Sequence, residues 1–471
     1  MGTFRRSWTR KATLVVLGDL GRSPRMQYHA LSFLRHGFSV DIVAYMETSP
    51  LPSLTSHPKV RIFPIPQPWR PAHGFSRWIF LLWAPFKVIL QILQLLWILL
   101  FQSHSSGYLL IQNPPAIPTL LVAKMASAWR GSRLIIDWHN FGYTILAMNL
   151  GEKSPVVRFA AWYERVFGRR AYAHLCVTRA MALWLRENWE LQGHVVVLHD
   201  HAPDHFKPLD PRGRHELLGR LCLEDDLDRL SPLSQPFSSL YTIPSGCTLT
   251  TIREGGEGEE VKEREERPAL LLSSTSWTAD EDFGMLLSAL EGYDKEASQA
   301  PASKHLPFLV MIITGKGPMK EAYEERIRRV RWERVRITTV WLEADDYPRL
   351  LGSVDLGISL HTSSSGLDLP MKVVDMFGAG LPVCALGFSC LPELLRDGKD
   401  GLVFGQATEL TEQLCKLFYD WPKHSKTLDG MRGEVQERFG ARRWDENWDT
   451  TILPLIMRRE KGDKCLKRGE R

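Results

Sequence analysis

The sequence predicts an α/β protein made of two doubly wound domains, each a mostly parallel sheet with helices on both faces. Three observations carry this. Short apolar runs alternate with helical patterns through the front half, the same alternation restarts in the back half, and a stretch of little but charge and glycine, 253–267, lies between them. The chain has 471 residues, enough for two or three domains, and two separate sheets account for the break better than one large sheet does.

In order along the front half, residues 14–17 form the first strand candidate. The loop Gly18-Asp-Leu-Gly-Arg-Ser-Pro-Arg25 follows, then a helix to His36. Further strands are expected at 39–45, 60–65, 108–111, 134–137, 174–177 and 195–198. The back half offers strands at 269–272, 308–313, 335–339, 356–360 and 381–385. A helix is expected from about residue 279, where Thr278-Ala-Asp-Glu281 has the spacing of a capping box, and another after Gly315-Lys-Gly-Pro-Met319. The expected organisation is a first domain over 11–206, a flexible charged insertion over 207–266, a second domain over 267–435, and a C-terminal helical segment over 436–460 carrying Trp444 and Trp448 that packs back across the domains.

Composition narrows the function. Apolar residues make up 44% and charged ones 24%, the balance of a protein with a real core. Lys and Arg number 59 against 54 Asp and Glu, and a net charge of +5 is too small to support nucleic-acid binding. Basic residues gather at both ends, as solvated tails or as contacts to an anionic membrane surface. Seven scattered cysteines with no C-x-x-C pair suit a reducing compartment, and the apolar run at 12–17 is too short for a signal core.

Residues 78–101 contain only Lys87, Gln91 and Gln94 as strongly polar side chains, so by length they could span a bilayer. A crossing is excluded on topology. Strand candidates before and after the segment belong to one sheet, and a single crossing would put them on opposite sides of the membrane. The segment is therefore a helix packed on the sheet or one lying in the membrane interface, which Trp78, Trp83 and Trp97 suit.

The most informative segment is His361-Thr-Ser-Ser-Ser-Gly-Leu-Asp-Leu-Pro-Met-Lys-Val-Val-Asp375. A small-residue loop containing Ser365 and Gly366 feeds a helix with Pro370 near its first position. Such a start presents unpaired amides and a positive dipole end to an anion. Lys372 adds a full charge in the first turn, and Asp375 stands one turn on, on the same face, able to accept from sugar hydroxyls. Together they suit a nucleoside diphosphate. An ordinary loop–helix junction with a solvated Lys–Asp pair would use the same residues.

Several longer motifs carry a family resemblance. Gly18-Asp-Leu-Gly-Arg-Ser-Pro-Arg-Met-Gln-Tyr-His-Ala30, Gln112-Asn-Pro-Pro115, Asp137-Trp-His-Asn-Phe-Gly-Tyr143, Ser273-Ser-Thr-Ser-Trp-Thr-Ala-Asp-Glu-Asp-Phe283, Ile313-Thr-Gly-Lys-Gly-Pro318 and Trp341-Leu-Glu-Ala-Asp-Asp-Tyr-Pro348 occur in this order. From Thr13 to Leu455 the chain resembles the chitobiosyldiphosphodolichol β-mannosyltransferases of eukaryotes, least well in the charged insertion. The resemblance implies a GT-B fold, two Rossmann-like domains facing across a cleft. It implies transfer of mannose from GDP-mannose to dolichol-diphosphate-chitobiose with a β-1,4 link, on the cytosolic face of the endoplasmic reticulum membrane, with other glycosyltransferases of lipid-linked oligosaccharides as candidate partners. Relatives commonly start with an apolar anchor. None precedes Thr13 here, so either the start is different or membrane contact rests on other segments such as 78–101.

The resemblance also implies roles. A β product from an α-linked donor means inversion, which needs a general base and stabilisation of departing GDP. Lys372 and the helix-start amides would hold the diphosphate, with Gly315 and Lys316 as a second candidate. Asp375 matches the second acid of the paired-carboxylate motif of GT-B enzymes, while Leu367 falls at the place of the first and Asp368 lies beside it. Glu343, after a strand, is a donor contact or a plain surface acid. Asp19 and His139 follow strands at their carboxyl ends and are equal candidates for the base. Gly18, Gly21, Arg22 and Arg25 form a loop suited to the acceptor's diphosphate, unless the arginines only brace it. Nothing in the sequence requires a cofactor, and neither 199–205 nor Asp280-x-Asp282 has a spacing that fixes a metal. Two rival readings share the fold: a catalytically silent scaffold, and a retaining transferase acting on another lipid acceptor.

Overall fold

The structure is a computed structural model that describes residues 10–67, 77–221, 247–254, 260–278, 281–300, 306–343, 345–419, 421–422, 425–440 and 443–457. The basic chain ends, Asp280, and residues 222–246 and 255–259 of the charged stretch lie outside the described residues. The chain divides into two units. The first holds residues up to Asp200 and returns from Asp445 onward; the second runs from His201 to Trp444.

In the first unit, seven parallel strands stand in the order β3-β2-β1-β4-β5-β6-β7. They are β1 (Lys11–Asp19), β2 (Ser39–Tyr45), β3 (Val60–Pro64), β4 (Tyr108–Asn113), β5 (Arg133–Trp138), β6 (Arg170–Cys176) and β7 (Gln192–Val197). Helices α1 (Pro24–Arg35), α2 (Pro52–Thr55), α3 (Arg77–Trp97), α4 (Thr119–Arg130), α5 (Gly142–Leu150), α6 (Pro155–Gly168) and α7 (Arg179–Trp189) connect them. The strand order reverses between β1 and β4, and the loops after β1, β4 and β5 therefore open at the carboxyl edge where α/β sheets take ligands.

Helix α3 joins β3 to β4. Since Ala12 pairs with Tyr108 and Val40 with Val60, all four strands around this helix share one sheet, and α3 cannot cross a bilayer between them. It is amphipathic in an unusual sense. Gln91, Leu95, Ile98 and Leu99 are buried, with Gln91 donating to the Tyr45 hydroxyl at 2.8 Å, while Phe86, Ile89, Leu93, Trp97 and Phe101 stand exposed along the opposite stripe. The window Pro85–Gln102 has the length and composition of a membrane span, yet only 22% of it is buried.

In the second unit, α8 (Pro211–Leu221) and an antiparallel pair, β8 (Thr251–Glu254) with β9 (Glu260–Glu263), precede a six-stranded parallel sheet. That sheet has the order β12-β11-β10-β13-β14-β15, from β10 (Ala269–Ser274), β11 (Leu309–Thr314), β12 (Val335–Val340), β13 (Leu356–Ser359), β14 (Val383–Leu386) and β15 (Gly401–Phe404). Its helices are α9 (Phe283–Gln299), α10 (Lys320–Arg329), α11 (Asp346–Leu351), α12 (Met371–Gly378), α13 (Ala407–Leu417) and α14 (Lys426–Val435); α15 (Trp444–Thr451) carries the chain back to the first unit. Strand β11 explains why this sheet is covered on both faces. Leu309, Met311 and Ile313 enter one apolar cluster and Val310 and Ile312 the other, each such side chain contributing about 1.5–3 kcal/mol.

The stretch 207–266 is less featureless than its composition suggests. His215, Leu217 and Leu218 of α8 are buried, Leu249 joins the same core, and the His215 ring meets the Thr251 hydroxyl at 2.8 Å. The capping expectation at Thr278 is corrected. Helix α9 starts at Phe283, and the Asp282 carboxylate accepts from the Gly284 amide at 2.9 Å. Glu281 has a different partner, described next.

Candidate active site

In the first unit the loops after β1 and β5 converge on Asp137, which is fully buried at the end of β5. Arg25, from the first turns of α1, donates to it twice, from Nε at 2.8 Å and Nη2 at 2.9 Å, and donates again to Asp200 at 2.6 Å and to the Leu198 carbonyl at 3.0 Å. Arg25 is 3% exposed. Its donors face inward, so it braces the site and cannot serve as a diphosphate ligand, which corrects one of the two roles proposed for it. Burial raises the Asp137 carboxyl, but the Arg25 charge and the imidazole hydrogen bonds outweigh that and hold it well below the usual carboxylate range.

Two histidines share this carboxylate. The Trp448 indole, a donor only, gives its N–H to His29 Nδ1 at 3.0 Å, so His29 carries its proton on Nε2 and donates to Asp137 at 3.1 Å. His139 stands two residues beyond Asp137, on the same side of extended backbone, with Nε2 2.7 Å from the same oxygen. An ionised carboxylate only accepts, so Nε2 of His139 bears a proton and Nδ1 is the nitrogen not engaged by the carboxylate. His139 is the partly open member of the cluster, its side chain 22% exposed. The geometry is that of a base held in one tautomer by a buried acid. Sequence reasoning singled out His139 but not Asp137; the signal was the D-x-H spacing at a strand end.

Asp19, the other candidate base, is committed elsewhere. Its carboxylate accepts from the amides of Glu47 and Thr48 at 2.9 and 3.1 Å and from the Thr48 hydroxyl at 2.5 Å. Burial raises its pKa, yet these hydrogen bonds together hold it below the ordinary value, which weakens it as a base. Gly21 packs against the same segment: a Cβ there would stand 2.3 Å from the Thr48 hydroxyl. Gly18 has no such crowding, and Arg22 extends into solvent with 75% of its side chain exposed, 3.6 Å from Asp19.

In the second unit the loops after β10, β11, β12 and β13 lie at one carboxyl edge, where the strand order reverses between β10 and β13. Lys372, in the first turn of α12, reaches Glu281 at 2.5 Å. The side chain of Glu281 is 4% exposed and also accepts from the Thr275 hydroxyl at 2.6 Å and the Ser276 amide at 3.1 Å. Pro370 is the residue before α12, and its fixed geometry sets the helix start. The preceding loop is tightly ordered. Asp368 accepts from the hydroxyls of Ser363 and Ser365, the Ser365 oxygen accepts from the Leu367 amide at 3.2 Å, and Gly366 takes the left-handed φ of 71°.

Gly315 adopts φ 142° against the Thr275 carbonyl, which a Cβ would approach to 1.8 Å, so this glycine is required by the contact of two loops. Lys316 lies over the Trp341 ring at 3.6 Å. Glu343 is exposed, and its carbonyl accepts from the Asp346 and Tyr347 amides at the start of α11. Asp375 acts electrostatically on half-buried Tyr347, whose hydroxyl meets Ser274 at 3.2 Å. The second unit thus gathers Lys372, Asp375, Asp368 and the Gly366 and Gly315 loops along one sheet edge. Among the described residues no group of three His, Cys, Asp or Glu is arranged to hold a metal ion. The histidine-rich stretch is used otherwise, with Asp200 on Arg25 and His201 against Phe439.

Comparison with known proteins follows the same division. The family described as Glycosyl transferase 4-like domain matches residues 21–201, and Glycosyl transferases group 1 matches 286–420. The chitobiosyldiphosphodolichol beta-mannosyltransferase of Mus musculus is 44% identical over 95% of this chain and 89% of its own length; that of Homo sapiens is 43% identical over 95% and 93%. The protein named UDP-glycosyltransferase TURAN from Arabidopsis thaliana is 43% identical over 95% and 97%. Among solved structures, HepE of Anabaena in complex with UDP-glucose superposes with a TM-score of 0.59 at 15% identity, covering 96% of this chain and 99% of its own, a likeness of fold. The two Rossmann-like units are those of the GT-B class.

Proposed function

The chain belongs to the chitobiosyldiphosphodolichol β-mannosyltransferase family, and from that premise we propose how its residues perform the transfer. It is a glycosyltransferase that moves mannose to dolichol-diphosphate-chitobiose. In our reading the donor is GDP-mannose, the new bond is β-1,4, and the reaction is one in-line displacement with inversion at the anomeric carbon.

Nδ1 of His139 takes the proton from the attacking hydroxyl, and the imidazolium that forms is stabilised by Asp137, which also fixes the tautomer beforehand. Lys372, with the amides at the start of α12, neutralises charge on the departing diphosphate. Asp375 accepts from nucleoside hydroxyls, Glu343 and Lys316 line the donor side, and the turn holding Ser365, Gly366 and Asp368 borders the phosphates ahead of α12. Gly18, Gly21 and Arg22 are assigned to the acceptor's diphosphate, with Arg22 the exposed cation. The exposed stripe of α3 rests in the headgroup region of the endoplasmic reticulum membrane on its cytosolic face.

The observation that carries the reading is the buried Asp137 carboxylate holding His139 with its second nitrogen available. The name of the Arabidopsis relative favours a second reading, a UDP-sugar donor. One experiment tests both. Purified protein is given GDP-mannose, UDP-glucose or UDP-N-acetylglucosamine with a diphosphate-linked chitobiose lipid, and the product linkage is determined by NMR. β-Linked mannose from GDP-mannose alone is expected. An α product, or turnover only with a UDP-sugar, overturns the assignment.

A further inference from the structure

Directly after His139 the chain enters α5, whose composition and burial disagree. Gly142-Tyr-Thr-Ile-Leu-Ala-Met-Asn-Leu150 is strongly apolar, yet none of its residues is buried. Ile145, Met148 and Leu150 face outward. Its neighbours repeat the pattern. On α6, Val156, Phe159, Trp162 and Val166 are exposed while Val157, Ala160 and Glu164 face the core. On α4, Met125 and Trp129 lie one turn apart and exposed, Trp129 at 79%. Helix α5 packs on α6, α6 on α4, and α4 on α3, so the helices that carry these exposed side chains neighbour one another and the stripe of α3. Scattered exposed apolar residues need no explanation, but a contiguous apolar face across four helices marks an interaction surface.

We propose that α4, α5 and α6 form a second bilayer-inserting face beside α3. Together they dock the first unit monotopically, with the residues after His139 at headgroup depth. The charge around the face identifies the occupant. Lys153, Arg158, Arg165 and Arg170 are exposed or half-exposed between residues 119 and 170, where Glu152 is the sole exposed acid. A basic rim around an apolar centre complements an anionic lipid surface, and tryptophans such as Trp97, Trp129 and Trp162 belong to the boundary between headgroups and acyl chains. The arrangement suits an acceptor whose diphosphate emerges from a leaflet. That part alone rests on the function proposed above.

The full chain is tested by flotation with phosphatidylcholine vesicles, with and without phosphatidylserine, in the absence of any sugar nucleotide. Failure of the catalytic assignment leaves this readout untouched. Phe159→Ser with Trp162→Ser is expected to lower the vesicle-bound fraction at least tenfold. Leu93→Ser with Trp97→Ser should lower it separately, and all four changes together should abolish it. Arg158→Glu with Arg165→Glu should reduce binding to phosphatidylserine vesicles only. Unfolding midpoints equal to wild type verify folding, as expected for exposed positions. Wild-type flotation by the Phe159/Trp162 variant overturns the proposal. So does a wild-type dimer that this variant converts to monomer with vesicle binding unchanged, since the face would then cover a second copy of the chain.

Discussion

Replacing Lys372 by alanine should damage the enzyme twice, and the two losses can be separated. The ammonium is 2.5 Å from Glu281, whose side chain is 4% exposed and accepts two further hydrogen bonds from the 275–276 backbone and side chain. Lys372→Ala removes a charge-assisted bond to phosphate, about 1.5–3 kcal/mol. It also leaves a carboxylate facing the incoming diphosphate. At roughly 6 Å and an effective dielectric of about 20, that repulsion is about 3 kcal/mol. The sum lowers kcat/KM for the donor by about 10³–10⁴. Glu281→Gln added to Lys372→Ala removes the repulsion while keeping an oxygen for Thr275 and Ser276, so the double variant should recover about 10² of the loss. Steady-state kinetics and calorimetric titration with GDP measure both terms, with unfolding midpoints as the control. A double variant no better than Lys372→Ala, or near-normal GDP binding by the single variant, would refute the placement of the diphosphate at the head of α12.

His139→Ala should lower kcat about 10²–10⁴ with GDP affinity unchanged, whereas Asp19→Asn should chiefly lower the unfolding midpoint by loosening the Thr48 loop; kinetics paired with melting curves separate the two. Burial lifts the Glu164 carboxyl from 4.5 to about 8, while the Gly142 amide donates to one of its oxygens at 2.8 Å. The folded state therefore holds the extra proton, so this stabilising contribution is full below pH 4.5 and lost as pH rises through 8. Between about pH 5 and 8 the wild type should lose about 3 kcal/mol relative to Glu164→Gln, read as a pH-dependent difference in unfolding midpoint; a constant difference would show that the group is ionised when folded. Gly315→Ala forces a side chain into the Thr275 carbonyl at a left-handed φ and should destabilise the second unit by about 3 kcal/mol or more, measured by denaturant unfolding.

The alternation of apolar and helical segments made both sheets legible because parallel strands buried on two faces read as continuous apolar runs, as Leu309–Thr314 does. What escaped is local or long-range in a specific way. Strand β15 has four residues and opens with glycine, too little for any periodic signal. Helix α8 hides three buried side chains in a stretch dominated by charge. The Thr278–Glu281 spacing suits a cap, but the carboxylate is taken up by Lys372, 91 residues away, and by Thr275 and Ser276 on the preceding loop. Arg25 looked like a loop cation because its partner Asp137 is 112 residues distant. The loop around Lys372 was readable, since proline, small residues and a basic first turn are all local. The orienting acid behind His139 was printed in the sequence, two positions away, and lacked only the knowledge that the strand ends there.

The hydrogen bond from Trp448 to His29 places a residue from the closing segment inside the carboxylate cluster that aligns His139. During synthesis, the first unit therefore emerges from the ribosome early but waits until residue 448 has been made to complete this hydrogen-bond cluster. A premature stop codon that spares both sheets yet removes residues 445–457 would leave the second unit whole and take the Trp448 donor away from the cluster that holds His139, the base we propose. Late truncations in this gene should behave as loss of turnover rather than loss of donor affinity.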